Sequence, residues 1–419
     1  MLRWAALPVV LLALGCTREA PDGLTFSGSA VGREADVLRT QLARFTAERG
    51  IEVQIRATPD SADQRHQLYV QWLNARSPDP DVLQLDVVWT PEFAAAGWLL
   101  PFDRFNPSRE AFFPATIEAN GWRGALYGLP WFVDVGMLYW RTDLFDSAPV
   151  SFDALASAAG RARERGQVRY GVVWQGARYE GLVTVFLEHA GGFGGDIMDA
   201  DGRVVVDSEA AVRALTWMRD QIHRDGNVPA AALTWHEEET RFAFQNGSAA
   251  AMRNWPYAFS LLQGPDSRVA DRFAVAPMPF ESGSGEPTAA LGGSQLAINA
   301  RTARPEAAWA LVEYLTAPEQ MLERARVVAQ FPSRLALYEP GAGLEGTLGI
   351  APDAARRIIA AARPRPVTPV YTQLSEILQV HLHNALTRQQ EPRPALEAAA
   401  HEMRALLARS GLADHPQRP

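Results

Sequence analysis

Tryptophan beside charged or amide residues is the feature of this sequence that most suggests binding chemistry. The chain has 12 tryptophans, and examples occur in Val88-Trp89, Trp131-Phe-Val-Asp134 and Arg253-Asn-Trp-Pro-Tyr257. Sugars have apolar ring faces and hydroxyl edges, so a sugar site needs aromatic surfaces edged by Asp, Glu, Asn and Arg. A single tryptophan more often packs in a core. Pro256, however, interrupts regular structure between Trp255 and Tyr257, which favours a loop at the rim of a site.

Several catalytic and cofactor-binding patterns are absent from the sequence. All 40 residues counted as Lys or Arg are arginine, which excludes a Schiff-base lysine, a Walker-A lysine and the lysine of protein kinases. No HExxH, CxxC or Gly-x-Ser-x-Gly motif occurs, and His381 and His383 would point to different faces of a helix. The glycine-rich run Gly191–Gly195 follows a predicted helix, so it predicts a loop rather than a phosphate site. We expect no metal and no cofactor.

The acidic residues leave one enzymatic alternative open. Paired carboxylates are the catalytic groups of glycoside hydrolases, but the sequence does not place two of them at a defined separation. The run His236-Glu-Glu-Glu239 predicts a charged helix start, because acidic residues favour that end of a helix. A formal net charge of −8 argues against a general nucleic-acid binder.

The N-terminus has the features of an export signal. Arg3 precedes an apolar run from Trp4 to Leu14, followed by Gly15-Cys16; this is typical of a secretory signal and too short to span a bilayer. Ala13-Leu14-Gly15-Cys16 resembles a bacterial lipobox, in which cleavage before the cysteine leaves it lipidated, although leucine rather than alanine is usual at the first position. We expect a signal peptide over 1–15 and a lipidated tether over 16–23. The protein would then lie in the periplasm or on the outer face of the cell membrane.

Hydrophobic periodicity predicts alternating strands and helices at the start of the mature chain. Strands are expected over Leu24–Ser27, Ile51–Ile55 and Val82–Trp89, with helices over Glu34–Arg49 and Asp60–Asn74 between them. This order implies a parallel sheet with crossover helices. Asp86 lies near the carboxyl end of a strand, where ligands bind in such sheets.

The remainder of the sequence predicts a second α/β unit and a helical C-terminus. A length of 419 residues suits two domains. Further strands are expected over Leu129–Trp140, Val204–Val206, Ala249–Arg253, Phe273–Ala276 and Leu291–Asn299. Further helices are expected over Phe152–Arg165, Tyr179–Ala190, Ser208–Asp225, Glu237–Gln245, Arg304–Leu315, Pro318–Val328, Ala351–Ala362, Tyr371–Thr387 and Pro392–Ser410. Strands that return late in the chain favour two lobes joined by more than one crossing.

The order of motifs resembles the extracellular solute-binding proteins of carbohydrate ABC transporters, of the maltose-binding type and closest to the trehalose/maltose-binding branch. The motifs cover nearly the whole mature chain; Met252-Arg-Asn-Trp-Pro-Tyr-Ala258 with a later Leu291-Gly-Gly293 is the most specific combination. The others are Asp79-Pro-Asp81, Leu85-Asp-Val-Val-Trp89, Phe93-Ala-Ala-Ala-Gly-Trp-Leu-Leu-Pro101, Tyr127-Gly-Leu-Pro130, Asp134-Val-Gly-Met-Leu-Tyr139, Arg141-Thr-Asp-Leu144, Val173-Trp-Gln-Gly176, Tyr179-Glu-Gly-Leu182, Pro364-Arg-Pro366 and Gln373-Leu-Ser-Glu-Ile377.

The resemblance implies a two-lobed periplasmic-binding-protein fold, an α/β class, with the ligand in a cleft between the lobes. It implies an N-terminal lobe near 24–128 and 291–335, and a second lobe over 129–290 and 336–415. The ligand contacts that it implies are Glu34, Arg65, Asp86, Phe132, Asp134, Trp255, Tyr257, Gly293 and Arg365, with Tyr179 as a weaker candidate. The partners it implies are a small sugar, such as a disaccharide, and the permease subunits of an ABC importer. A monomer without enzymatic activity is expected.

Two positions depart from the family pattern. The branch often has tryptophan where Ser294 stands and tyrosine where Phe132 stands. Loss of a stacking surface costs about 1 kcal/mol, and loss of a paired hydroxyl costs about as much. The sugar could therefore differ from trehalose or maltose. A polyol or a glycerol phosphodiester is the alternative ligand. The guanidiniums of Arg65 and Arg365 are groups that could bind the phosphate of such a diester.

Overall fold

Alternating strands and helices build two large sheets and a two-stranded hairpin of residues 121–126 in the computed structural model, which describes residues 23–28, 33–59, 62–283 and 285–412. The predicted signal peptide and Cys16 lie outside these residues. Strands β1 to β13 are, in chain order, Leu24–Gly28, Val53–Ala57, Val82–Asp86, Gly121–Trp122, Ala125–Leu126, Gly128–Val135, Met137–Arg141, Tyr170–Val173, Ala249–Asn254, Phe273–Ala276, Ala289–Ile298, Phe331–Pro332 and Ala362–Arg363.

Helices cover both sheets and form the C-terminal part of the chain. Helices α1 to α14 are Arg33–Arg49, Ala62–Asn74, Thr90–Ala95, Pro114–Glu118, Phe152–Glu164, Glu180–Gly192, Glu209–His223, Glu237–Gln245, Ala258–Leu262, Pro305–Leu315, Pro318–Val328, Pro352–Ala360, Tyr371–Leu386 and Pro392–Arg409. Short 3-10 turns lie at Phe102–Phe105, Arg109–Ala111, Ala230–Thr234 and Leu335–Tyr338. None of the helices in the described ranges combines the length and apolar character needed to cross a lipid bilayer.

The larger sheet has the strand order β12-β6-β11-β3-β1-β2, with β13 beside β11. Strand β1 pairs in parallel with β2 and β3, as the strand–helix–strand pattern predicts, and the long β11 is antiparallel to β3 and β6. The buried side chains around this sheet include Phe26, Phe45 and Trp131. Asp86 is the last residue of β3, which agrees with its predicted place at the end of a strand.

The smaller sheet has the order β10-β7-β9-β8 and forms the second lobe together with α5 to α7. Helices α13 and α14 pack on each other and against α7, so the C-terminal helices belong to this lobe. Its core contains Trp174, Phe186 and Leu374. Within the described residues, the chain passes between the two sheets at Gly136, between β10 and β11, and between β13 and α13.

The predicted single strand over Leu129–Trp140 is two strands in different sheets. Strand β6 pairs with β11 in the larger sheet, whereas β7 pairs with β9 in the smaller one. Gly136 lies between them, and a methyl group at this position would overlap the Glu188 carboxylate. The expected lobe boundary at 128/129 therefore does not follow the strand pairing. The segment directly after residue 335 was expected in the second lobe. It lies in the first lobe instead, because α12 packs against β6 and β11 of the larger sheet.

Three shorter predictions also need correction. The strand from Val82 ends at Asp86, whose side chain accepts a hydrogen bond from the Val88 amide at 3.2 Å and turns the chain. The expected strand at Val204–Val206 is one bridge from Met198 to Val204, and the apolar character of the run reflects burial of Val204 and Val206 in the core. In the predicted loop Gly191–Gly195, the first two glycines instead form the end of α6.

Candidate ligand-binding cleft

A cavity of about 560 Å³ lies between the two lobes and is lined by residues of both. All nine predicted ligand contacts line it, although they come from positions scattered between 34 and 365. Tyr179 and Ser294 line it too. The complete lining is Glu34, Arg65, Gln84, Asp86, Phe132, Asp134, Tyr179, Glu180, Gly181, Thr184, His236, Glu237, Trp255, Tyr257, Gly292, Gly293, Ser294, Val328, Ala329, Gln330 and Arg365.

Strand geometry explains the contribution of the larger sheet. Side chains two residues apart in a strand point to the same face, so Phe132 and Asp134 of β6 both reach the cavity. The same period brings Gln84 beside Asp86 on β3. Gln84 was not among the predicted ligand contacts, although the two-residue period could have identified it. Its side-chain amide donates to the Ser294 hydroxyl at 3.0 Å.

Glycines at the centre of β11 leave room for a ligand. Gly293 has φ = +105°, a backbone conformation that side chains rarely adopt, and a methyl group there would overlap the Phe132 carbonyl oxygen. At Gly292 a methyl group would lie 3.3 Å from the Trp255 ring. Gly292 thus lets the indole of the second lobe approach the larger sheet closely, while Gly293 lets β11 lie close to the backbone of β6.

Trp255 and Tyr257 follow β9 directly, and α8 holds both through its acidic start. The Trp255 indole N–H donates to Glu237 at 3.4 Å, and the Tyr257 hydroxyl donates to Glu238 at 2.7 Å. Glu239 accepts from the His236 amide at 3.0 Å and caps the helix. The helix start predicted for this run is therefore confirmed. Successive residues of a helix point in different directions, so the three glutamates at the start of α8 bind three different groups. The acidic composition of this run did not predict these separate contacts.

Arg365 joins the two lobes across the floor of the cleft. Its guanidinium donates to Glu180 at the start of α6 (2.8 Å) and to Asp86 at the end of β3 (3.2 Å). Burial opposes the charged guanidinium, but the carboxylates of Asp86 and Glu180 outweigh this effect and raise the pKa of Arg365 above its ordinary value. The charged guanidinium is therefore retained inside the protein.

The carboxyl of Asp134 is held partly neutral near physiological pH. Burial, reinforced by the negative charges of Glu34 and Asp86, raises its pKa from 3.8 to about 7. Burial also raises the pKa of Glu34, although Arg324 opposes the shift. A neutral carboxyl can donate as well as accept a hydrogen bond, so Asp134 can serve either a hydroxyl oxygen or a hydroxyl hydrogen.

Several other residues of the lining were not among the predicted ligand contacts. Glu180 and Glu237 are the first residues of α6 and α8, Thr184 lies one turn into α6, and Gln330 follows the end of α11. Glu180 follows Tyr179 in one of the family motifs and Gln330 precedes Phe331, but none of these four residues was among the predicted ligand contacts. The described ranges contain no group of three or more His, Cys, Asp or Glu side chains arranged to hold a metal ion.

Two α/β lobes with an aromatic and carboxylate-lined cleft define a solute-binding protein of the kind that closes around a small molecule. Residues 32–322 match the family model of bacterial extracellular solute-binding proteins, and the chain belongs to this family. The predicted resemblance to carbohydrate ABC solute-binding proteins, and the two-lobed fold that it implied, are thereby confirmed.

Individual relatives agree with this assignment. A probable ABC transporter-binding protein of Deinococcus radiodurans is 34% identical over 413 residues, which cover 95% of this chain and 97% of that protein. Maltose-bound MalE3 of T. maritima is 39% identical, with a TM-score of 0.84 over 92% of this chain and 100% of that one. An arabinooligosaccharide-binding protein of Halalkalibacterium halodurans is 24% identical over 73% of this chain and 69% of that protein.

Family membership carries general consequences. The family and fold are those of substrate-binding components of transporters rather than of enzymes. They imply an exported protein, a sugar ligand and an ABC permease as partner.

Proposed function

We propose that the protein captures an α-linked glucose disaccharide of the maltose or trehalose type and delivers it to the permease of an ABC importer. The observation that carries this proposal is the convergence of Trp255 with Glu34, Asp86 and Asp134 in one interlobe cavity. The indole provides a surface for a sugar ring, and the carboxyl groups provide partners for hydroxyls. The cavity volume lies within the usual range for small-molecule sites, about 300–1,000 Å³.

The charge of the cleft favours a neutral sugar over a glycerol phosphodiester. Five carboxyl groups line the cavity, those of Glu34, Asp86, Asp134, Glu180 and Glu237, against the guanidiniums of Arg65 and Arg365. Arg365 is already occupied by two of these carboxyl groups. A phosphodiester would enter a site with surplus negative charge, whereas hydroxyls can donate to these oxygens. The maltose bound to MalE3, at 39% identity, supports the same choice.

Ligand capture requires contacts from both lobes. A ligand stabilises the closed form only if it contacts that form better than the open one. Here the larger sheet supplies Asp86 and Asp134, and the smaller sheet supplies Trp255. We propose that the first lobe comprises 23–135 and 289–363, that the second comprises 137–276 and 371–412, and that the protein acts as a monomer.

Thermal unfolding against a panel of trehalose, maltose, sucrose, glucose, ribitol and a glycerol phosphodiester tests the proposal. A sugar present at about 100 times its dissociation constant adds about 2.7 kcal/mol to the free energy of unfolding. We expect a shift with one disaccharide, and a smaller shift at the same sugar concentration in Trp255→Ala. The full shift should remain in Trp309→Ala, because Trp309 stacks on Phe105 outside the cleft. A shift with only the phosphodiester or ribitol, or turnover of a chromogenic glycoside, would contradict the proposal.

We also propose that Cys16 carries a lipid anchor, as the lipobox-like sequence before it indicates. Radiolabelled palmitate should be incorporated into the full chain and not into the Cys16→Ser variant. Equal labelling of both would show that the cysteine is not the attachment point.

A further inference from the structure

A buried ion pair lies directly behind the cleft, outside its lining. Arg253 donates to both oxygens of Glu188, through Nε at 2.8 Å and Nη2 at 2.5 Å, and both side chains are at most 1% exposed. The third nitrogen, Nη1, donates to the Gln175 side chain at 3.2 Å. Hydrogen bonds therefore fix the plane of this guanidinium on every side.

The same guanidinium stacks on the indole of Trp255. Its central carbon lies 3.9 Å from the ring centroid, within the range of a cation–π contact. Arg253 is the penultimate residue of β9, and Trp255 follows two residues later. This spacing places both side chains on the same side of the chain. The orientation of the indole is thus coupled to that of the buried guanidinium.

Glu188 extends this contact to the strands that pass between the lobes. Its Oε1 accepts a hydrogen bond from the Ala290 amide of β11 at 3.2 Å. The Gly136 amide in turn donates to the Ala290 carbonyl at 3.4 Å. A methyl group at Gly136 would overlap the Glu188 carboxylate and lie 2.6 Å from Arg253 Nη2. The ion pair therefore occupies the place where two interlobe crossings meet.

We propose that Arg253 is a positioning residue of the ligand site: it sets the angle of the Trp255 ring and, through Glu188, ties that ring to the interlobe strands. The inference rests on the proposed function of the cleft as a sugar site. Stability alone does not require the pair, because apolar residues of similar volume often replace a buried ion pair without loss. The fixed guanidinium instead constrains orientation, because it stacks on one face of the indole while Glu237 holds the indole N–H.

A double-mutant cycle with maltose as the probe tests the proposal. We expect Arg253→Met to weaken maltose binding about tenfold in titration calorimetry. In a Trp255→Ala background the same change should have no further effect. The pair replacement Glu188→Met with Arg253→Met removes the buried charges together, so it should keep the fold while binding maltose as weakly as Arg253→Met. Arg56→Met is the matched control, because Arg56 makes a similar contact with Trp72 at 3.7 Å and neither residue lines the cleft.

Fluorine NMR of protein labelled with 5-fluorotryptophan gives a second readout that needs no sugar. The Trp255 resonance, assigned by its loss in Trp255→Phe, should shift or broaden in the pair replacement, while that of Trp309 stays unchanged. An unchanged Trp255 resonance would overturn the inference. So would equal weakening by Arg253→Met with and without Trp255, or full affinity in the pair replacement. Normal maltose affinity in Trp255→Ala would instead remove the proposed sugar site, and this inference with it.

Discussion

The guanidinium of Arg365 donates a 2.8 Å hydrogen bond to Glu180, a residue 185 positions earlier in the chain. The Glu180 carboxylate also accepts from the hydroxyls of Tyr371 and Ser375. Because the same guanidinium donates to Asp86, one cation links the second lobe to the end of a strand in the first. The two lobes therefore share a charged contact through Arg365.

Arg365→Met is expected to lower both stability and sugar affinity. The change leaves two half-buried carboxylates without their cation, which costs about 2 kcal/mol in the free energy of unfolding. Urea denaturation measures this loss. Arg357→Met is the control, because Arg357 pairs with the exposed Asp353 and such pairs contribute less than about 1 kcal/mol. Equal losses in the two variants would show that the interlobe contact has no special role.

Asp134→Asn is expected to change the pH dependence of stability. The carboxyl has a pKa of about 7 in the folded protein and 3.8 in the reference state. Between these values the folded protein holds a proton that the unfolded chain has lost, so the free energy of unfolding falls as the pH rises. The amide cannot ionise. The variant should therefore unfold at a higher temperature than the parent at about pH 8 and show a smaller decline from about pH 5.

Asp146→Asn serves as the matched control for this experiment, because Asp146 is exposed. Thermal unfolding of this control should follow the parent at each pH. A decline in Asp134→Asn as steep as that of the parent would assign the pH dependence to other groups.

Gly293→Ala is expected to disrupt the centre of the cleft. The new methyl group would overlap the Phe132 carbonyl oxygen and lie 2.9 Å from the Asp134 amide, at φ = +105°. We expect a loss of about 2 kcal/mol or more in unfolding free energy, with weaker sugar binding. Gly124→Ala is the control that separates backbone strain at a positive φ from steric overlap with neighbouring atoms. Gly124 also has a positive φ, +82°, but it faces open space, so this control should lose only about 1 kcal/mol and retain binding.

Ser294→Trp is expected to change which sugars bind. Ser294 lines the cavity and its hydroxyl accepts from Gln84 at 3.0 Å. An indole at this position reduces the cavity and adds a second stacking surface, so the order of affinities across the sugar panel should change. Ser294→Ala, which removes the hydroxyl and keeps the space, should preserve the parental order. An unchanged order in Ser294→Trp would show that position 294 does not set specificity.

Much of the local structure was predictable because its signals are local. The apolar stripe of α1 and the alternation in β2 depend on neighbouring residues, and the predicted bounds lie within a few positions of those observed. The end of β3 identified Asp86 as a candidate binding residue. The motif order placed Trp255 and Tyr257 in the same site, and both line the cavity.

Other features had no local signal. The apolar run that contains β6 and β7 predicts one strand, since its composition does not change at Gly136. Its division follows from Glu188, whose carboxylate occupies the space beside that glycine. Glu237 was interpreted only as a favourable charge at a helix start, although it also accepts a hydrogen bond from Trp255.

Periodicity thus predicted most of the longer strands and helices, because these depend on residues close together in the chain, and the motif order identified nine residues of the cleft. The assignment of strands to two sheets and the pairing of charges depend on residues far apart. Arg365 meets Asp86 across 279 positions and Glu180 across 185. No local sequence pattern predicts such contacts, because they form only after both lobes have packed. They are then stabilised because a charge buried without a partner is costly in free energy.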